Sequence, residues 1–331
     1  MFKFTIKARR MLTLAIATTL TAAAATGALA QNAWPTRPVT IVVPFSAGGS
    51  TDVVGRLLAK ELSKTWGQTV LVENRAGAGG NIGTSLVAKA HPDGHALLLA
   101  SGSIFTVNPH LYSQLPFHPE KDFAPITNVA SGPMVVLVHP SSKATKLADL
   151  LAEAKAKPGS LNFGSAGPGS QVHMAAEKFA SAAGIAVQHV PYKGEAPALT
   201  DLMAGQTHFM VGNIGAATPI VADGRLRALA VTGKERSKLM PDVPTVVESG
   251  LPAAENMGWF GMLAPAGTPQ DIIDKIHRDI VKALEVPEIR KRLDDIGMAP
   301  VGNQPAEFAK AIAEESKAWA VVVKDRKLSA H

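Results

Sequence analysis

A continuous β-branched run, "VTIVVPF" (39–45), leads directly into a small-residue loop, "SAGGSTD", and then into a helical stripe, "DVVGRLLAKELSKTWG". Five β-branched residues in a row, without alternation, suit a parallel strand buried on both faces. The stripe places Val53, Val54, Leu57, Leu58 and Leu62 along one side of a helix. Strand, tight loop and helix in that order form the opening of a βαβ unit, and the chain repeats the pattern. Further strands are expected in "QTVLVEN" (68–74), "HALLLAS" (95–101), "MVVLVHP" (134–140), "SLNFGS", "IAVQHVPY", "THFMVGN" and "GRLRALAVT" (224–232), with helices between them. "PQDIIDKIHRDIVKALEVPEI" and "PAEFAKAIAEESKAWAVVVKDR" read as closing helices. The fold class is therefore α/β, with two βαβ-rich halves, each a mainly parallel sheet flanked by helices. No low-complexity linker separates the halves. Two lobes joined by crossing strands are expected, with crossings near 131–133 and 254–258. This divides the chain into 31–131 (first part of lobe 1), 132–254 (lobe 2) and 255–331 (the C-terminal part of lobe 1).

The loop after the first strand has a near-copy. "GSAGPGSQ" (164–171) again stands between a strand and a helix. Such loops lie at the ligand edge of an α/β sheet, where the next helix offers free N–H groups and the positive end of its dipole. Glycine allows close approach and Ser or Thr adds a hydroxyl, a combination that binds anions. The first loop offers Ser46, Gly48, Gly49, Ser50 and Thr51, and the second Ser165, Gly167, Gly169 and Ser170. Facing each other across a cleft, they would grip a carboxylate without any arginine. Each loop could also be a plain turn with Ser50, Thr51 or Ser170 as helix cap. His173, just inside the second helix, either reaches the ligand or caps and packs.

Residues 1–30 have the layout of a secretory signal: a basic start, an apolar stretch from Met11 to Gly27, and Ala28-Leu29-Ala30 as a small-x-small cleavage site. A membrane anchor is the alternative, but the stretch is short and rich in Ala and Thr. With no cysteine, the chain can carry neither a disulfide nor a lipid anchor at a cleavage-site Cys. The net charge of +6 falls to +2 once Lys3, Lys7, Arg9 and Arg10 are removed. No basic patch with interleaved aromatics appears, and a nucleic-acid partner is not expected.

Other motifs carry little. "GAGGNIG" (77–83) has Ile82 where a dinucleotide fingerprint needs glycine. His91 and His95 have zinc-like spacing but straddle a Pro-Asp-Gly turn that reads as solvated. Phe163 stands where a hydrolase elbow needs glycine, so Ser165 has no good claim as a nucleophile. Neither a cofactor, a metal nor catalytic residues are expected.

"PTRPVTIVVPFSAGGSTDVVGRLLAKELSKTWGQTVLVENRAGAGGNIGTSLVAKAHPDG" closely resembles the opening of the Bug family, the solute receptors of tripartite tricarboxylate transporters. The likeness continues through "NPHLY", "DFAPIT", "AKAKPGSLNFGSAGPGSQVHMAAEKF", "HVPYKGEAPALTDLMAGQTHF" and "RSKLMPDVPTVVESGLP" and covers essentially the whole mature chain. It implies a periplasmic binding protein of the type II, Venus-flytrap kind: soluble, exported by its signal peptide, not lipidated and monomeric. Its two loops would be carboxylate pincers, 45–52 (adding Phe45, Ala47 and Asp52) and 165–173 (adding Ala166), acting through backbone N–H groups and bridging waters. Ser101, Tyr192 and Asn213 are further expected contacts. The implied partners are a small carboxylate and the membrane permease subunits of the transporter. The carboxylate could be a di- or tricarboxylate, an acidic amino acid or an aromatic carboxylate. A receptor that hands the ligand to a sensor kinase, and a secreted serine hydrolase using Ser165 or Ser46, are the alternatives. Where the family often shows "MFD", this chain has "MVGNIGAATP" (210–219), and it has His95 for a usual Tyr. Lys193 in "PYKGE" is the nearest cation to the expected cleft.

Overall fold

The computed structural model of the chain describes residues 34–325 and 328–330. The signal segment 1–30 lies outside the described residues. Arg37 onward forms one compact unit. The leading residues to Thr36 form another, of which only 34–36 are described.

The first βαβ unit forms as its pattern predicts. β1 (Val39–Val43) is followed by helix α1 (Ser50–Trp66) and β2 (Val70–Asn74), and β1 pairs with β2 in parallel. Val39, Ile41 and Val43 are fully buried. Val54, Leu58 and Leu62 form the inner stripe of α1, whereas Val53 is 40% exposed. Gly55 lets the helix sit close, since a Cβ there would lie 3.2 Å from a Val43 methyl. Helix α2 (Asn81–Ala88) leads to β3 (Ala96–Ser101) on the other side of β1, and short helices α3 (Ser103–Thr106) and α4 (Asn108–Leu111) follow. His95 is buried rather than solvated, with Nδ1 3.2 Å from Asp93 Oδ1 in the turn.

The strand expected at 134–140 is the second half of a longer one. β4 (Phe123–Val138) has 16 residues, and its first half pairs antiparallel with β9 (Met257–Pro265) from Phe123 to Pro133. Period-2 alternation is weak in "FAPITNVASGP", because that half is held by cross-strand bonds and bulges rather than by a hydrophobic face. The second half, Met134–Val138, pairs with β7 (Phe209–Asn213) and β8 (Arg227–Val231).

Between these come helix α5 (Leu147–Ala156), β5 (Asn162–Ser165), helix α6 (Gln171–Ala183), β6 (Gln188–Pro191) and helix α7 (Glu195–Met203). Helix α8 (Ile214–Ala222), unread in the sequence, follows β7. Helices α9 (Gln270–Glu285) and α10 (Pro287–Asp295), the two-residue β10 (Ala299–Pro300) and helix α11 (Pro305–Asp325) close the chain.

The strand order β2-β1-β3-β9-β4-β7-β5-β6 makes one curled sheet with two lobes. One lobe is built on β1–β3, the other on β5–β7, and β4 runs through both. Trp66 Nε1 donates to Asp279 Oδ2 (2.8 Å), which ties α1 to α9 and so anchors the C-terminal helices on the first lobe. Among the described residues no helix is long and apolar enough to cross a membrane.

Candidate functional site

Both small-residue loops come to the same place. They face each other across a cavity of about 20 Å³, lined on the first lobe by Phe45, Gly49, Ser50, Thr51 and Ser101. Ala166, Ser170 and Asn213 line it from the second lobe. All eight are positions expected from the sequence. The cavity has room for about one water molecule, far less than the few hundred Å³ that enclose a small organic ligand. This is therefore a closed arrangement of the lobes.

The other expected contacts support the loops from behind. Asp52 is buried, and its carboxylate accepts from Gly48 N–H and Arg56 Nε (both 2.9 Å) and from Asn74 Nδ2 (2.9 Å). Burial would raise its pKa, but the Arg56 bond and the two N–H donors outweigh that and hold it below the usual carboxylate range. Gly48 takes φ +81°, a left-handed turn that lets its N–H reach back to Asp52. Ala47 is exposed, whereas Ser46 faces Gly194 of the second lobe. The hydroxyls of Ser46 and Ser50 have no hydrogen-bond partner of good geometry. Gly49, not Ser50 or Thr51, is the N-cap of α1, so the helix has no capping side chain of its own on its free N–H groups.

In the second loop Ser170 is the N-cap of α6, its hydroxyl accepting from His173 N–H (3.3 Å), and it also lines the cavity. The His173 imidazole packs and buttresses. Its Nδ1 accepts from Gly169 N–H (3.0 Å), which places its ring proton on Nε2. Burial, and then the neighbouring His189, push its pKa down to about 3. The two rings stack with centroids 3.9 Å apart, and burial lowers His189 to about 4. Ser165 lies fully buried at the end of β5, 2.5 Å from His189 Nε2, and accepts from Gly167 N–H (3.1 Å). This Ser–His contact faces inward, and His189 has no hydrogen-bonded carboxylate among the described residues. Tyr192 points away and donates to Asp201 Oδ2 (2.7 Å).

The second loop also touches the first lobe. Tyr112 Oη donates to Pro168 O (2.8 Å), and Gly79 is so close that a Cβ there would meet the same oxygen. Gly169, at φ +75°, abuts Asn108 in the same way.

Two lining residues lie outside the expected stretches, Glu195 and Phe260, while Gln171 and Val172 fall within 165–173. Glu195 matters most. It is the first residue of α7 and is buried. Its Oε1 accepts from Asn213 N–H (2.7 Å), and its Oε2 accepts from Asn213 Nδ2 (3.1 Å) and, from the opposite lobe, Ser50 N–H (3.3 Å). Burial raises its pKa, opposed by these bonds. The signal for it lies in "KGEAP", an acid directly after a glycine at a helix start, whereas the neighbouring Lys193 is exposed. Among the described residues no Lys or Arg lines the cavity.

A curled α/β sheet of two lobes, closing on a polar cavity lined by helix N-termini, defines a periplasmic solute-binding receptor. The family described as "Tripartite tricarboxylate transporter family receptor" matches residues 54–328, and the chain belongs to it. BugT of Bordetella pertussis is 38% identical over 298 residues, 90% of this chain and 91% of BugT. Rpa4515 of R. palustris, solved with adipate, superposes with a TM-score of 0.86 at 35% identity, over 89% of this chain and 99% of that one. MatC from Rhodopseudomonas palustris, solved with bound malate, superposes at 0.84 and 34% identity, over 88% of this chain and all of that one.

Proposed function

We propose that this chain is a receptor outside the cytoplasm that captures a small carboxylate between loops 45–52 and 165–173. It then presents the ligand to the membrane permease subunits of a tripartite tricarboxylate-type transporter. The observation that carries this reading is that a carboxylate already lies at the mouth of α1: Glu195 Oε2 accepts the N–H of Ser50, the first residue of that helix. The helix start faces the cleft with unused donors, and the opposing loop reaches it from the second lobe. Binding works by differential affinity, the ligand shifting an open–closed equilibrium toward the closed arrangement. The lobes divide at 131–132, within β4, and at 254–255, just before β9.

Calorimetry of the mature chain against C4–C6 aliphatic carboxylates and benzoate-type acids tests this, with the corresponding fully amidated compounds as controls. Saturable binding of at least one acid, lost in its amidated form, is expected. An absence of binding across the panel, or equal binding of the amidated forms, overturns the reading.

A further inference from the structure

The cleft contains an acid that nothing in the capture of a carboxylate requires. Glu195 is 5% exposed and is held from its own lobe by two donors of Asn213. Asn213 stands at the N-cap of α8 but makes no side-chain cap there, because its amide is used elsewhere. Its Oδ1 accepts from Gln171 Nε2 (2.7 Å), and Gln171 Oε1 accepts from Trp259 N–H (3.1 Å) on β9. The carboxylate is thus oriented by a chain of bonds that ends on β9 of the first lobe. Of the carboxylate's own bonds, parting the lobes breaks only the 3.3 Å one from Ser50, and Oε2 then faces the entering ligand.

Nothing in the cavity balances this charge. Arg56 is engaged by Asp52, and Lys178 Nζ donates to Glu255 O. With the lobes parted, a ligand carboxylate can take the Ser50 N–H that Glu195 Oε2 now holds, and the rest of the ligand then lies between that N–H and Glu195. A second carboxylate there meets a buried like charge with no cation between them, whereas an N–H donor forms a charge-assisted hydrogen bond.

We infer that Glu195 is a specificity-determining residue, and that it selects a ligand bearing an N–H donor, an ammonium or an amide, at the end opposite its carboxylate. The inference rests on the carboxylate-receptor reading and narrows it.

Three C5 probes of equal length separate the cases: glutarate (carboxylate), 5-aminopentanoate (ammonium) and glutaramate (amide), with their C4 counterparts as a second set. Calorimetry at pH 7.5 on the wild type and on Glu195→Gln reads the ratio of affinities. The wild type is expected to bind the ammonium or the amide member at least tenfold more tightly than the diacid. Glu195→Gln, nearly isosteric, is expected to reduce that ratio at least tenfold, with the ammonium member losing and the diacid gaining. The relative standing of ammonium and amide identifies which donor is read. A wild type that binds the diacid as tightly as the other two overturns the inference, as does a ratio unchanged in Glu195→Gln. Should that variant not fold, the wild-type ratio alone decides. Failure of every probe and of the wider carboxylate panel overturns the receptor reading itself, a result distinct from binding without preference.

Discussion

Asp52 lies in the first turn of α1, within the loop read as a pincer, yet its carboxylate serves the loop rather than the cleft. It fixes Gly48 N–H, Arg56 and Asn74 at once. Asp52→Asn keeps the shape but loses the charge and one acceptor. It is expected to destabilise the fold by about 1.5–3 kcal/mol, the range for hydrogen bonds to a charged group, read from the denaturant midpoint. Because the folded pKa is depressed, the contribution of Asp52 is full above the unfolded carboxylate range and fades as pH falls below it. The variant should therefore approach the wild type in acid. Gly49 is a second residue-scale test. A Cβ there would stand 3.7 Å from Glu195 Cβ, ordinary contact, but branched methyls would enter the ligand's space. Gly49→Ala should retain most carboxylate binding and Gly49→Val should lose it by calorimetry; equal behaviour of the two would refute the placement. Small-residue spacing made the loops legible in the sequence. It could not separate residues that face the cleft from those that brace it, because Ser50 and Asp52 are two positions apart and differ only in the bonds that capture their side chains.

At the scale of elements, the β–loop–α units were readable because a buried parallel strand and an amphipathic helix each leave their own period. β4 was half-read, since the part from Phe123 to Pro133 owes its extension to β9, more than a hundred residues later. Helix α8 escaped for a similar reason: "IGAATPIVA" carries a proline and no clear stripe, and packing defines it. The stacked His173 and His189 belong to this scale, joining β6 to the start of α6. With the folded pKa of His173 at about 3, against an unfolded value of about 6.5, the folded protein refuses a proton that the unfolded chain accepts. Stability from this source is full above pH 6.5 and declines as pH falls toward 3, by about 1–2 kcal/mol at pH 5. Glu195, with its raised pKa, acts in the opposite direction. His173→Asn isolates the histidine, since Asn Oδ1 can still accept Gly169 N–H. Denaturation between pH 7.5 and 5 should show a loss smaller by about that amount in the variant, and parallel curves would count against the neutral imidazole.

For the whole molecule, closure depends on glycines that meet across the cleft. A Cβ on Gly194 would come 2.0 Å from Ser46 Oγ and 2.9 Å from Ser46 N, too close to be relieved by a side-chain rotation alone. Gly194→Ala is expected to leave both lobes folded but unable to reach this separation. Small-angle scattering should then give a larger radius of gyration than for the wild type under identical carboxylate conditions; superimposable curves would argue that this contact does not limit closure. The two-lobed plan was legible from the repeated units and the missing linker, whereas the closed cavity and Glu195 were not, since both arise from contacts between distant segments. The shared strands also set an order of assembly. β3 ends against β9, with Leu98 opposite Leu263, so while the chain is being made the first three strands wait with an open edge until residues 257–265 arrive. Such non-local pairing slows folding and leaves an edge that can pair with another chain. The last-made third of the chain therefore decides when the edge laid down by the first third is closed.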